Sequence, residues 1–136
     1  MENTIPTEAI HHLALTVTDL TRAIEFYTTM LGFQKATDLG PTRVLLTNGK
    51  SILALTEAPD PSQAIPDDRF NENRVGLDHL SFNVSNRNKL EEAVRRFDKQ
   101  NVSHGEIENM GPDLSIYVLA FRDPDNIQLE LTAPYG

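Results

Sequence analysis

The sequence predicts an α+β protein made of two tandem βαβββ modules that form an open, cup-shaped mixed sheet with the helices outside. Two internal repeats support this prediction: HLALTV at residues 12–17 returns as HLSFNV at residues 79–84, and LALT at residues 53–56 returns as LELT at residues 129–132. Polar and apolar residues alternate along these segments, as in strands with one buried face. We expect a single domain, with module one at about residues 8–58, a linker at about 59–75 and module two at about 76–134.

The first module begins with an alternating segment at residues 10–17, which predicts a strand. Asp19 offers a side chain to cap a following helix, and Gly32 offers a left-handed stop. Three more strands are expected near residues 33–38, 42–47 and 51–56, with the Asn48-Gly49 dipeptide as a hairpin turn. The apolar face of the helix is predicted to contain Leu20, Ala23, Ile24, Tyr27 and Leu31.

The second module repeats the same order. A strand is expected at about residues 77–84, then a helix capped by Ser85, and Asn101 stands where the first module has Gly32. Strands should follow near residues 102–107, 114–121 and 126–132. The apolar face of this helix is predicted to contain Leu90, Ala93, Val94 and Phe97.

The segment between the modules is rich in proline and polar residues and is predicted to be an exposed linker. An alternative is that Arg69, Phe70 and Arg74 fold over a pocket and contact an anionic substrate. His104, beyond the second helix, is expected to be exposed.

Composition restricts the partners. The formal net charge is −8, which repels phosphate backbones and anionic lipid, so we expect no nucleic acid and no membrane partner. No apolar run is long enough to cross a bilayer, and the first residues do not resemble a signal peptide, so a cytoplasmic protein is expected. The absence of cysteine excludes a disulfide, a thiolate ligand and a thiol nucleophile.

Strand parity places three potential metal ligands on polar faces. His12 shares a face with Thr16, His79 shares one with Ser81, and Glu130 shares one with Gln128 and Thr132. Two imidazoles and one carboxylate suit Fe, Mn, Zn, Ni or Co as a divalent ion and leave positions open for water and substrate. A lone strand histidine is more often structural, but equivalent positions in two repeats favour a site.

Three motifs carry a resemblance to a known family: IHHLALTVTDL at residues 10–20, FY and LGF at residues 26–33, and DPDN with LEL at residues 123–131. They resemble the vicinal oxygen chelate superfamily, which includes glyoxalase I, fosfomycin thiol transferases, extradiol dioxygenases and bleomycin-binding proteins. The resemblance implies a glyoxalase-like fold around one divalent ion per site, with His12, His79 and Glu130 as ligands. It also implies a homodimer whose cups are shared between subunits, and it places His11 at a non-ligand position on the opposite side of the strand.

The sequence departs from this pattern in informative places. Four-ligand members have a glutamate or glutamine where this chain has Ala54, which favours three ligands; Glu57 is the nearby alternative ligand. Extradiol enzymes have a tyrosine at the position of Ala120 and a histidine shortly before it, and the fosfomycin thiol transferases have a hydroxyl at the position of Ala14.

We therefore expect a metal-dependent enzyme of lyase or isomerase type that chelates a small substrate through vicinal oxygens and stabilises an enolate or oxyanion. The alternatives are an Fe(II) dioxygenase, a thiol transferase, or a metal-free protein that binds a small molecule. Glu130 is the predicted catalytic residue. The predicted pocket contains Thr16, Thr56, Ser81, Asn83, Tyr117 and Gln128, although packing is an alternative role for Tyr117.

Overall fold

The structure is a computed structural model that describes residues 3–136. The chain divides into two compact units, the first ending at Ile65 and the second beginning at Pro66. This boundary lies within the segment predicted as the linker. Within residues 3–136, each unit contains one α-helix and one open four-stranded mixed sheet in βαβββ order, so the predicted α+β fold class is confirmed. The first unit also has a short 3-10 helix at Pro61–Gln63.

The elements of the first unit are β1 (Leu13–Thr16), α1 (Leu20–Leu31), β2 (Gln34–Asp38), β3 (Arg43–Thr47) and β4 (Ile52–Thr56). Its sheet has the strand order β1-β4-β3-β2, in which β1 and β4 are parallel and the other pairs are antiparallel. The helix α1 packs against β4. Apolar side chains on one face of the sheet, including Val44, Leu46 and Leu55, are fully buried together with Tyr27 of the helix.

The ends of α1 follow the sequence prediction. The Asp19 carboxylate accepts a hydrogen bond from the Arg22 backbone N–H at 3.0 Å, and Gly32 ends the helix in the left-handed conformation with φ 72°. Phe26 is buried on the same helix beside Ala23 and Tyr27, although the predicted apolar face did not include it.

The elements of the second unit are β5 (Leu80–Asn83), α2 (Arg87–Lys99), β6 (Glu108–Asn109), β7 (Ile116–Arg122) and β8 (Gln128–Pro134). Its sheet has the equivalent strand order β5-β8-β7-β6, and α2 packs against β7 and β8. In its core, the buried rings of Phe97 and Phe121 stack with their centroids 4.6 Å apart.

Three predictions for the second unit are wrong. The helix cap is Asn86, whose side chain accepts from the Lys89 backbone N–H, and not Ser85. Residues 102–107 form no regular strand; a single bridge joins His104 to Phe121, and β6 follows later. His104 is half-buried rather than exposed, with 17% of its side chain accessible, and its two ring nitrogens contact Asp98 and the Gly105 carbonyl.

The second half of the predicted linker is attached to the turn before β8. The Phe70 backbone N–H donates to the Asp125 carbonyl, and the Asn126 side chain donates to the Phe70 carbonyl. Arg122 donates two hydrogen bonds to Glu72. This segment is therefore a packed part of the second unit rather than a free connection.

Of the helices in residues 3–136, none has the length and apolar character that crossing a membrane requires.

Candidate metal centre

The two units repeat not only their element order but also their strand register. In the first unit Ala14 is paired with Ala54 across the parallel strands β1 and β4. In the second unit Ser81 is paired with Glu130 across β5 and β8. The structure therefore confirms that Ala54 is the position equivalent to Glu130, and a methyl group replaces a carboxylate there.

One face of the second sheet carries the polar side chains. Ser81, Glu130 and Ala120 are neighbours across β5, β8 and β7, while the flanking residues Leu129 and Leu131 point to the helix side and are buried. The period of two follows from the alternation of side chains along a strand. The Ser81 and Thr132 hydroxyls are hydrogen-bonded on this face.

His79 and Glu130 are brought together on this polar face. The Nε2 atom of His79 lies 3.5 Å from Oε1 of Glu130, and the two side chains are 40% and 21% exposed. Two ligand atoms about 2.1 Å from one metal ion, at an angle of about 90–110°, would be about 3.0–3.4 Å apart. The nitrogen–oxygen pair has nearly this spacing, so these two residues fit a shared divalent ion.

Asp78 binds the other side of the same imidazole. Its Oδ1 atom lies 2.7 Å from Nδ1 of His79. The Gln128 amide donates to the Asp78 backbone carbonyl at 3.0 Å and to Oδ1 at 3.2 Å. The sequence prediction did not include Asp78 as a partner of His79. An acidic residue directly before a predicted histidine ligand is the pattern that indicates such a partner.

His12 belongs to the first unit and directly precedes β1. Its ring meets that of His11 edge to face, with their Nδ1 atoms 2.9 Å apart. Both residues are exposed. The prediction that His11 points away from His12 is wrong, because regular alternation begins only at Leu13, where the strand starts.

Glu57 has a different partner from the one a metal site would require. Its Oε2 atom accepts a hydrogen bond at 3.0 Å from the backbone N–H of Leu20, the first residue of α1. A carboxylate at a helix N-terminus is stabilised by the unpaired N–H groups and the helix dipole. The structure thus gives Glu57 a capping role.

The predicted pocket residues divide between two kinds of surface. By strand register, Tyr117 lies on the face of Leu119 and Phe121, opposite to Glu130, and the Arg87 guanidinium of α2 stands over its ring at 5.2 Å. The packing alternative for Tyr117 is therefore the one the structure supports. Thr56 is buried and donates to the Glu57 carbonyl. Register places Thr16, Ser81, Asn83 and Gln128 on the polar faces of their sheets.

Across residues 3–136, the structure has no group of three or more histidine, aspartate or glutamate side chains arranged to hold a metal ion. The ligand atoms it does bring together are those of His79 and Glu130. The donor set of imidazole and carboxylate is nevertheless one that binds divalent transition metals.

Comparison with known families identifies the class. Residues 9–131 match the model of the Glyoxalase/Bleomycin resistance protein/Dioxygenase superfamily, and the chain belongs to that superfamily. It is similar to the uncharacterised protein YwkD of Bacillus subtilis (strain 168), with 29% identity over 91% of this chain and 95% of YwkD. It is also similar to the uncharacterised protein YaeR of Escherichia coli (strain K12), with 30% identity over 90% of this chain and 93% of YaeR.

Solved structures share the fold. A glyoxylase/bleomycin resistance protein/dioxygenase domain from Frankia sp. EAN1pec has a TM-score of 0.79 and 29% identity, covering 95% of this chain and 93% of that one. A mutant of the fosfomycin resistance protein FosX from Listeria monocytogenes, in complex with Mn(II) and a dihydroxypropylphosphonic acid, has a TM-score of 0.69. Its identity is 16%, with 93% and 90% of the two chains covered, and that likeness concerns the fold alone.

Proposed function

We propose that this chain is a divalent-metal-dependent, glyoxalase-like enzyme of lyase or isomerase type. The proposed ligands are His12, His79 and Glu130. The observation that carries the proposal is the 3.5 Å contact between Nε2 of His79 and Oε1 of Glu130 on a polar sheet face. The presence of Mn(II) in the related FosX structure supports the choice of a divalent ion.

Each residue has a defined task in this proposal. The chemistry supplied by the ion is Lewis-acid stabilisation of negative charge on adjacent oxygen atoms of a bound substrate. Glu130 is the proposed catalytic residue, since its half-buried carboxylate lies on the face where substrate would bind. The hydroxyls of Ser81 and Thr132 and the amide of Asn83 would orient a small polar substrate beside it.

The absence of two side chains supports a lyase or isomerase over the other metal-dependent activities of the family. Ala120 stands opposite Glu130 on the neighbouring strand β7, where the resemblance implies a tyrosine in extradiol dioxygenases. Ala14 occupies the position where it implies a hydroxyl in the fosfomycin thiol transferases. Methyl groups can neither transfer a proton nor donate a hydrogen bond.

A homodimer is part of the same proposal, because His12 could come from a second copy of the chain to complete the site. Light scattering of the metal-loaded protein should then give twice the mass of one chain. A monomer that still binds the ion tightly would contradict a site shared between subunits.

Thermal unfolding with and without metal tests the proposed site. Because an ion that binds only the folded state stabilises it, Mn(II), Fe(II), Ni(II) or Zn(II) should raise the melting temperature above its value in EDTA. His79→Ala should abolish this shift. His104→Ala removes an imidazole of the same unit outside the proposed site and should retain it.

The contrary result is equally clear. If the melting temperature of the wild type is the same in EDTA and in each metal, the proposed site is wrong. Stabilisation by small drug-like molecules under those conditions would then favour the alternative of a metal-free binding protein.

A further inference from the structure

The two ring nitrogens of His79 have different partners. Nε2 faces the Glu130 carboxylate at 3.5 Å, while Nδ1 lies 2.7 Å from Oδ1 of Asp78. A carboxylate accepts hydrogen bonds and does not donate them, so the short contact requires a proton on Nδ1. A neutral imidazole with its proton on Nδ1 has its lone pair on Nε2. That lone pair is then directed to the side of Glu130.

Asp78 is itself fixed by the strand that carries Glu130. The Gln128 amide reaches both the backbone carbonyl and Oδ1 of Asp78. Gln128 and Glu130 are two residues apart on β8 and therefore point to the same face of the sheet. Strand β8 therefore acts on both sides of the imidazole. Glu130 of this strand faces Nε2 directly. Gln128 of the same strand acts on Nδ1 indirectly, because it holds Asp78.

We propose that Asp78 is a positioning residue that holds His79 in the tautomer and ring orientation needed for Nε2 to bind the metal ion. The proposal rests on the proposed function, in which His79 is a ligand. Partners of this kind commonly contribute about 10–100-fold to metal affinity. Because 69% of the Asp78 side chain is exposed, we expect an effect at the lower end of that range.

The Mn(II) affinities of two Asp78 variants show whether Asp78 acts by orienting His79 or only by adding negative charge near the ion. Asp78→Ala should weaken Mn(II) binding by about tenfold. Asp78→Asn should bind nearly as tightly as the wild type, because its amide oxygen can still accept the Nδ1 proton. Glu92→Ala removes another exposed carboxylate, from α2 of the same unit, so it controls for the loss of one negative charge and should leave affinity unchanged. Equal melting temperatures of these variants in EDTA would show that the fold is intact.

The tautomer of His79 is a second readout that needs no metal. Long-range proton–nitrogen NMR spectra of the metal-free protein, at a pH where the imidazole is neutral, should show the proton on Nδ1. In Asp78→Ala the population should shift toward the Nε2 tautomer, and in Asp78→Asn it should return to Nδ1.

The outcomes distinguish the two proposals. Failure of the wild type to bind any divalent ion would overturn the proposed function. An unchanged His79 tautomer in Asp78→Ala would overturn the role of Asp78, whichever way metal binding falls. If Glu92→Ala lost Mn(II) affinity by about tenfold, as Asp78→Ala is expected to do, the effect of Asp78 would come from its negative charge alone. That result would also contradict the positioning role.

Discussion

At the residue scale, three acidic side chains have separate tasks that their contacts identify. Glu130 faces His79, Asp78 fixes the imidazole, and Glu57 caps α1 by accepting from the Leu20 N–H. Since Ala54 replaces the carboxylate in the first unit, the proposed site has three protein ligands and keeps open positions for substrate.

The capping role of Glu57 gives a direct prediction. Glu57→Gln keeps an oxygen that can accept from Leu20 but removes the charge at the helix N-terminus, so it should lower the free energy of unfolding by about 0.3–1 kcal/mol. Urea denaturation measures this change. The affinity for Mn(II) should stay at the wild-type value, and a large loss of affinity would instead make Glu57 a ligand.

The ion pair between Glu72 and Arg122 predicts that the free energy of unfolding falls at acidic pH. Hydrogen bonds from the Arg122 guanidinium lower the pKa of Glu72 from 4.5 to about 2. The folded state therefore binds fewer protons than the unfolded state between these values, and the stabilisation is complete above pH 4.5 and is lost as the pH falls toward 2.

Urea midpoints measured between pH 7 and pH 2 test this dependence. Glu72→Gln should be less stable than the wild type at pH 7, and the difference should shrink below pH 4.5. Glu92→Gln, on the exposed side of α2, should follow the wild-type profile. A constant difference between Glu72→Gln and the wild type across the range would contradict the assigned cause.

At the element scale, α2 is held to β7 by an aromatic contact and by a histidine. Phe97 stacks on Phe121 in the core, and His104, beside Phe97, bonds to Asp98 at the end of the helix. Replacing a buried aromatic ring by a methyl group removes apolar contacts and leaves a cavity.

Phe97→Ala should therefore lower the free energy of unfolding by about 3–5 kcal/mol. Phe97→Leu, which refills part of the space, should lose much less. Chemical denaturation of both variants measures the difference, and a loss below about 1 kcal/mol in Phe97→Ala would show that this stack contributes little to the core.

His104 should make stability depend on pH near neutrality. Its hydrogen bond to the Asp98 carboxylate, followed by that to the Gly105 carbonyl, raises the pKa of His104 above 6.5. The resulting stabilisation is fully present below pH 6.5 and is lost as the pH rises through the higher pKa of the folded state.

The variants His104→Gln and Asp98→Asn should both flatten the dependence of unfolding free energy on pH between about pH 5.5 and pH 9, which lie on either side of the ordinary histidine pKa of about 6.5. Each should differ most from the wild type at the acidic end. A difference that instead grows as the pH rises would contradict the assignment.

At the scale of the whole molecule, the sequence predicts features that repeat with a fixed period. The LALT segment at residues 53–56 returns as LELT at residues 129–132, and this repeat correctly identified the equivalent positions of Ala54 and Glu130 in the two sheets. The left-handed conformations of Gly32 and Asn101, each after a helix, follow from local backbone preferences.

The errors occur where contacts distant in sequence decide the outcome. Ser85 and Asn86 are both good helix caps, and local chemistry does not choose between them. The sequence left two roles open for Tyr117, and the choice of packing depends on the tertiary contact with Arg87 of α2. The hydrogen bond from Gln128 to Asp78 joins residues fifty positions apart, so no local pattern contains it.

The central proposal is that His12, His79 and Glu130 are ligands of the same divalent ion. Calorimetric titration of Mn(II) into metal-stripped wild type and His12→Ala tests it most directly. The account predicts one ion per chain for the wild type and a loss of affinity of at least about tenfold in His12→Ala, since removing a ligand exceeds the effect of removing its support. Equal affinity of the two proteins would contradict it.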